Sequence, residues 1–195
     1  MKHLFLILVV ISLSGFGQTA EDYFNKGLAK CELQDYTGAI SDFNNAIQLN
    51  PDNANAYQNR GLAKDKIQDY TGAMSDFNTA IQLNPDDANA YNNRGLSKFS
   101  LEDYKGAITD CNKAIQLNPN NSNYYYNRAI AKCSLEDYNG SISDFNKAIQ
   151  LKPDYAVYFH GRGTAKYYLK DYNGACLDWS KAGELAYNNI QKYCK

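Results

Sequence analysis

Residues 54–87 read ANAYQNRGLAKDKIQDYTGAMSDFNTAIQLNPDD, and residues 88–121 read ANAYNNRGLSKFSLEDYKGAITDCNKAIQLNPNN. The second string repeats the first at a spacing of 34 residues, without a gap. The same register extends outward to residues 20–53, 122–155 and 156–189, making five consecutive blocks. A fixed period of this size marks a chain of stacked supersecondary units, each burying its apolar face against its neighbours.

Numbering each block from 1 to 34 exposes the pattern. Position 4 is Tyr23, Tyr57, Tyr91, Tyr125 and Phe159; position 8 is Gly27, Gly61, Gly95, Ala129 and Gly163. Position 17 is Tyr in every block, from Tyr36 to Tyr172. Position 20 is Ala39, Ala73, Ala107, Ser141 and Ala175; position 24 is Phe43, Phe77, Cys111, Phe145 and Trp179. Ala at position 27 and Pro at position 32 (Tyr187 in the last block) complete it. Positions 4, 8 and 11 share one face of a first helix; positions 20, 24, 27 and 28 share one face of a second. Small residues at 8 and 20 allow two antiparallel helices to approach closely, with aromatic rings around that contact. Asp at position 16 (Asp35, Asp69, Asp103, Asp137, Asp171) is an N-cap for the second helix, and Pro at 32 ends it. Gly at position 19 recurs in all five blocks (Gly38, Gly72, Gly106, Gly140, Gly174) without a reason visible in the sequence.

With these residues in place the chain resembles the tetratricopeptide repeat (TPR) family over residues 20–189. The resemblance implies an all-α, right-handed solenoid of helix–turn–helix units whose concave face, lined by the first helices, holds a peptide or protein. Two departures stand out. Position 7, commonly a large apolar residue in the family, is Lys26, Arg60, Arg94, Arg128 and Arg162, and position 11, often Tyr, is Lys throughout. The clamp by which the family's chaperone adaptors hold a terminal carboxylate needs Lys at position 5 and Asn at position 9 of the first repeat; Phe24 and Leu28 stand there instead.

Charge is spent on the repeat. The chain has 20 Lys and Arg against 21 Asp and Glu, a formal net charge of −1, which gives no basic surface for nucleic acid. Position 23 is Asp in every block: Asp42, Asp76, Asp110, Asp144 and Asp178. A cation near a helix seam needs a partner, because desolvating it alone is costly. The expectation is a recurring ion pair between position 7 (Arg60, Arg94, Arg128, Arg162) and position 23 (Asp76, Asp110, Asp144, Asp178). Arg94 then meets Asp110 in its own repeat or Asp76 in the preceding one. The alternative is a cationic stripe that binds acidic peptide.

The two ends differ from the repeats. Residues 1–17, MKHLFLILVVISLSGFG, place Lys2 before an apolar run and small Gly15 and Gly17 after it, the layout of a secretory signal cleaved after Gly17. The expected location is therefore exported, periplasmic or secreted, with no stable membrane insertion after cleavage. At the other end, residues 187–195 are expected to form a capping helix over the last repeat. The tail also resembles those of exported bacterial proteins with these repeats. Of five cysteines, Cys111 replaces the aromatic at position 24 and belongs to the core, while Cys31 and Cys133 sit three repeats apart. Cys176 and Cys194 can meet if the cap folds back; their 18-residue separation permits a bridge worth about 3 kcal/mol.

Catalytic chemistry is not indicated. No C-x-x-C or H-E-x-x-H motif occurs, so neither a metal nor another cofactor is expected. His160, the sole His beyond the leader, has no nucleophile placed beside it by any motif, and Gly161-Arg162-Gly163 reads as positions 6 to 8 of a repeat. The expectation is a non-enzymatic scaffold binding a peptide or protein; the alternatives are a glycan or cell-wall binding module and an accessory subunit of an envelope complex. Tyrosine indicates where. Nine of 17 are repeat residues at positions 4 and 17; the other eight, including Tyr124, Tyr126, Tyr158, Tyr167 and Tyr168, begin at residue 124. By the family's geometry the groove is lined by positions 2, 5, 9, 12 and 13. In the later repeats these include Phe99, Tyr126, Ile130, His160, Tyr167 and Tyr168. Rigid amphipathic side chains suit a recognition surface; the alternative is that these rings pack on one another and on the cap and form no ligand site.

Overall fold

The computed structural model describes residues 18–185, so the leader at 1–17, the cap at 187–195 and Cys194 lie outside the described residues. Among the described residues there are ten α-helices and no strand. They are α1 (Ala20–Glu32), α2 (Tyr36–Leu49), α3 (Ala54–Lys66), α4 (Tyr70–Leu83), α5 (Ala88–Ser100), α6 (Tyr104–Leu117), α7 (Ser122–Ser134), α8 (Tyr138–Leu151), α9 (Ala156–Tyr168) and α10 (Tyr172–Leu185). Odd-numbered helices are the first of each repeat, even-numbered the second. Each first helix packs on its own second helix, and each second helix on the first helix of the next repeat, so contacts run only between neighbours.

The corner inside each repeat is built from two consecutive residues. Gln34, Gln68, Glu102, Glu136 and Lys170 have φ of 61° to 65°, the left-handed region. Their amides and those of the following Asp close the first helix: Gln68 N–H donates to the carbonyl of Asp65 (3.0 Å), and Asp69 N–H donates to that of Lys64 (2.9 Å). That is a Schellman ending, made here with side chains where glycine is usual. The same Asp then starts the second helix. Asp69 Oδ1 accepts from the Gly72 amide at 2.9 Å, and the arrangement recurs at Asp35, Asp103, Asp137 and Asp171.

This cap explains the invariant glycine. A Cβ at Gly72 would sit 2.1 Å from Asp69 Oδ2, and the other four position-19 glycines give 2.0 to 2.1 Å. The carboxylate lies so close over the amide that any side chain there would have to push the cap aside.

The core is a column of alanines and rings. Ala39, Ala73, Ala107, Ala46, Ala80 and Ala114 are buried, with Phe43, Phe77 and Phe145 between them. The rings rest on glycine. A Cβ at Gly27 would meet the Phe43 ring at 2.6 Å, one at Gly61 the Phe77 ring at 2.8 Å, and one at Gly163 the Trp179 ring at 2.7 Å. Repeat four has Ala129 at this position, and there the Phe145 ring leans on Gly161 of the next repeat, 2.4 Å from where its Cβ would be. Both glycines of Gly161-Arg162-Gly163 are thus seats for rings.

Two of the surplus tyrosines belong to the fold and not to a surface. Tyr124 and Tyr158, at position 3, are buried where Ala56 and Ala90 stand in earlier repeats. Each reaches back one repeat: Tyr124 Oη donates to Asn89 Oδ1 at 2.6 Å, and Tyr158 Oη lies 3.0 Å from both Ser122 Oγ and Asn123 Oδ1. Position 3 faces the preceding repeat, a role that the alanines of the earlier blocks conceal in the sequence.

Candidate functional site

Two clusters could carry recognition: the charged seam and the groove face of repeats three to five. In the seam, the Arg94 guanidinium forks onto the buried Asp110 of its own repeat, with Nε at 2.9 Å from Oδ2 and Nη2 at 2.6 Å from Oδ1. Lys98, one turn along α5, adds a third contact at 2.8 Å. Arg60 with Lys64 on Asp76, Arg128 with Lys132 on Asp144, and Arg162 with Lys166 on Asp178 repeat the arrangement. Asp76 is therefore not shared with Arg94. What Arg94 takes from the preceding repeat is Asn78 Oδ1, at 2.8 Å from Nη1; Asn44, Asn112 and Asn146 serve Arg60, Arg128 and Arg162 in the same way. The Tyr91 ring lies under the guanidinium, 5.5 Å from its centre.

The electrostatics follow from these contacts. Hydrogen bonding to Asp110 holds Arg94 above the ordinary arginine value. Burial pushes Arg128 the other way, but hydrogen bonding and attraction to Asp144 outweigh it and the net shift is upward. Repeat one lacks the fork: Lys26 lies over the Tyr23 ring, and Asp42 is met by Lys30 at 2.6 Å. In repeats two to five the position 7 guanidinium is engaged inside the protein, and each seam sets two cations on one carboxylate.

The groove face is different. Phe99, Tyr126 and Ile130, together with Gly95, Leu96, Ala107, Cys111 and Asn127, line one cavity of about 120 Å³ between α5, α6 and α7. Its walls are braced. Phe99 packs on Tyr104 with ring centres 5.2 Å apart, and Tyr126 packs on Phe145 at 6.0 Å and Tyr158 at 5.3 Å. Half-buried Tyr126 therefore serves both the groove and the packing of repeats four and five. Tyr167 and Tyr168 fall in a second group. Tyr168 stacks on Tyr138 at 5.1 Å with planes 9° apart, and Tyr167 packs edge-on to Tyr172 at 5.4 Å and against Trp179 at 5.7 Å. They remain 44% and 59% exposed, which marks a wet surface of rings instead of a core. His160 is exposed on α9, and its carbonyl accepts from Trp179 Nε1 at 3.3 Å. The structure thus brings Phe99, Tyr126 and Ile130 together at one place, and Tyr167 and Tyr168 at another.

Residues 88–121 match the tetratricopeptide repeat, residues 27–68 and 66–101 match a TPR repeat, and residues 111–142 match a further tetratricopeptide repeat. Together the matched segments run from residue 27 to residue 142, more than half of the 195 residues. The chain belongs to the tetratricopeptide repeat family. As a TPR protein it is a non-enzymatic interaction scaffold for protein or peptide partners. No curated protein matches its sequence. Among solved structures it is similar to the MamA protein, at 23% identity with a TM-score of 0.77 over 90% of this chain and 96% of that one. MamA from residue 41 to its end, from Desulfovibrio magneticus RS-1, superposes with a TM-score of 0.80 at 20% identity, over 89% of this chain and 98% of that one. YrrB, described as a TPR protein with an unusual peptide-binding site, gives 0.71 at 19% identity over 88% and 89%. At these identities the likeness is one of fold.

Among the described residues, no group of three or more His, Cys, Asp or Glu side chains is placed to hold a metal ion, and no helix is long and apolar enough to cross a membrane. Cys31, Cys111 and Cys133 are free thiols; the Cys176–Cys194 pairing falls on a residue outside the described range. The seam's Asn at position 25 has no assigned role in the sequence reading, and Tyr124 and Tyr158 stand there only as surplus tyrosines and not as buried links between repeats. Asn recurs at position 25 in four blocks, Asn44, Asn78, Asn112 and Asn146, and that recurrence was the available signal.

Proposed function

We propose that this TPR protein holds an extended peptide segment of its partner along the first helices of repeats three to five. The observation that carries the reading is the gathering of Phe99, Tyr126 and Ile130 around one cavity, at positions the family uses for its groove. Tyr167 and Tyr168 continue that face on α9 with half-exposed rings. Large rings held by neighbours lose little entropy on binding and bury much area, which suits them as anchors. By contrast, the forked arginines are spent inside the protein.

The test uses the full chain as bait for a phage-displayed random peptide library, followed by mapping of the selected peptides by amide chemical shifts. Shifts concentrated on α5, α7 and α9, with affinity lost in Tyr167→Ala/Tyr168→Ala while the melting temperature stays near wild type, support the groove. Shifts concentrated on the second helices, or binding indifferent to that pair, overturn it.

The apolar leader supports a further part of the reading: the scaffold works outside the cytoplasm, after cleavage behind Gly17. N-terminal sequencing of the mature protein should begin at Gln18. A start at Met1 in the cytoplasmic fraction would refute export.

A further inference from the structure

Repeat three keeps a seat for a ring and has no ring in it. In repeats one, two and five the aromatic at position 24 lies against the glycine at position 8, as Phe43 on Gly27, Phe77 on Gly61 and Trp179 on Gly163. Repeat three retains Gly95 and the small Ala107, but its position 24 is Cys111, whose Sγ stays 3.6 Å from where a Cβ on Gly95 would be. The missing ring accounts for the cavity of about 120 Å³ at this point. That is somewhat less than the roughly 150 Å³ of an apolar cavity that encloses a whole benzene molecule, so an entering ring would be seated in part and not fully enclosed.

From this we infer that the cavity over Gly95 and Cys111 is an anchor pocket that receives one phenylalanine side chain of the bound peptide. The inference rests on the groove reading above and specifies its chemistry. The protein itself supplies the template, since its own phenylalanines fill the matching space in repeats one and two. Access is from the groove. Leu96, Phe99, Tyr126 and Ile130 occupy groove positions around the cavity, and Leu96 is 39% exposed. The walls stand in place before any ligand arrives, because Phe99 is braced by Tyr104 and Tyr126 by Phe145 and Tyr158. No charged side chain lines the space, so an ionised occupant would be desolvated without a partner. The floor is the sulfur of the buried Cys111. Burial raises its pKa to about 12, so it presents a neutral, polarizable surface of the kind that packs well on aromatic rings.

The experiment pairs wild-type full-length protein with Cys111→Phe, which restores the ring of the neighbouring repeats, and with Ile130→Trp, which covers the mouth without touching the floor. Each is used to select phage-displayed random peptides, and each is titrated with N-acetyl-phenylalaninamide while amide shifts are recorded. The wild type should select peptides with one fixed Phe and lose about tenfold or more in affinity when that Phe becomes Ala. N-acetyl-phenylalaninamide should shift Gly95, Cys111 and Ile130 in the wild type only. Both variants should lose the same peptides, and Cys111→Phe should melt higher than wild type. Should Cys111→Phe not fold, Ile130→Trp decides alone. Groove-bound peptides with no fixed aromatic, or with equal affinity for all three proteins, would overturn the pocket and leave the groove standing. A fixed leucine in place of the ring would overturn the choice of occupant. Peptides that map to the second helices, or no selected peptide at all, would sink pocket and groove together.

Discussion

At the scale of the residue, the contact between Asp69 and Gly72 makes the effect of one mutation depend on another. Alanine normally improves on glycine in a helix by up to about 1 kcal/mol. Here its Cβ would meet the Asp69 carboxylate at 2.1 Å, so Gly72→Ala alone should displace the cap and destabilise by about 1 kcal/mol in urea unfolding. Once Asp69→Ala has removed the carboxylate, the same Gly72→Ala should become neutral or stabilising; a loss in both backgrounds would show that the clash is not the cause. Cys111 gives a residue-scale pH effect. Its ordinary pKa of 9.0 is raised to about 12 by burial, because the folded site disfavours the thiolate. Between those values the unfolded chain has lost a proton that the folded chain keeps, so stability falls as pH rises from about 9 towards 12. Cys111→Phe should show a shallower alkaline decline, differing by at most about 1.4 kcal/mol per pH unit. Burial also raises the pKa values of Tyr124 and Tyr158, so part of the decline should persist in that variant.

At the scale of the element, each first helix ends on a left-handed residue that carries a side chain. Left-handed backbone costs a residue with Cβ about 1–2 kcal/mol, part of which glycine returns in the entropy of the unfolded chain. Gln68→Gly, at φ 65°, should therefore raise stability by about 0.5–1 kcal/mol, read as a higher urea midpoint at unchanged slope. The charged seam belongs to this scale as well, because it locks α5 to α6. Arg94→Leu leaves Asp110, 2% exposed, with Lys98 as its remaining cation and should cost about 2 kcal/mol. An unchanged melting temperature would return Arg94 to the role of a ligand-binding cation. Position 7 was readable as a partner for position 23 from charge and spacing alone. The fork itself was not, because the choice between Asp110 and Asp76 depends on how the two helices are rotated about their axes.

At the scale of the whole molecule, contacts pass only between adjacent repeats, so stability should be graded along the array. The α7 helix sits between two repeats and is tied back by Tyr124 to Asn89, by Asn127 to Asn92 and by Arg128 to Asn112. The α1 helix has no repeat before it among the described residues, and its position 7 is Lys26 without the fork. Hydrogen exchange should therefore be fastest in α1 and slow in α7. Tyr158→Phe removes the hydroxyl that joins repeats four and five and should cost about 1 kcal/mol. Faster exchange should appear in α9 and α10 while α1 to α4 stay unchanged; a uniform increase would mean that the array unfolds as one cooperative block.

The period, the helix pairs, the N-cap Asp and the small residues at the crossing are legible in one dimension, because they are local in the chain or recur at fixed intervals. So is the commitment of charge to repeated positions. Packing in three dimensions sets which partner each arginine takes, why glycine at position 19 spares the Asp cap, and that Tyr124 and Tyr158 pin adjacent repeats together. Packing also leaves an open seat beside Phe99, Tyr126 and Ile130 where Cys111 stands in the place of a ring. Each of these depends on distances between helices that the one-dimensional pattern does not contain. A cysteine in an aromatic column reads as a smaller core residue, and only the packing around it shows whether neighbours close the gap or leave it open.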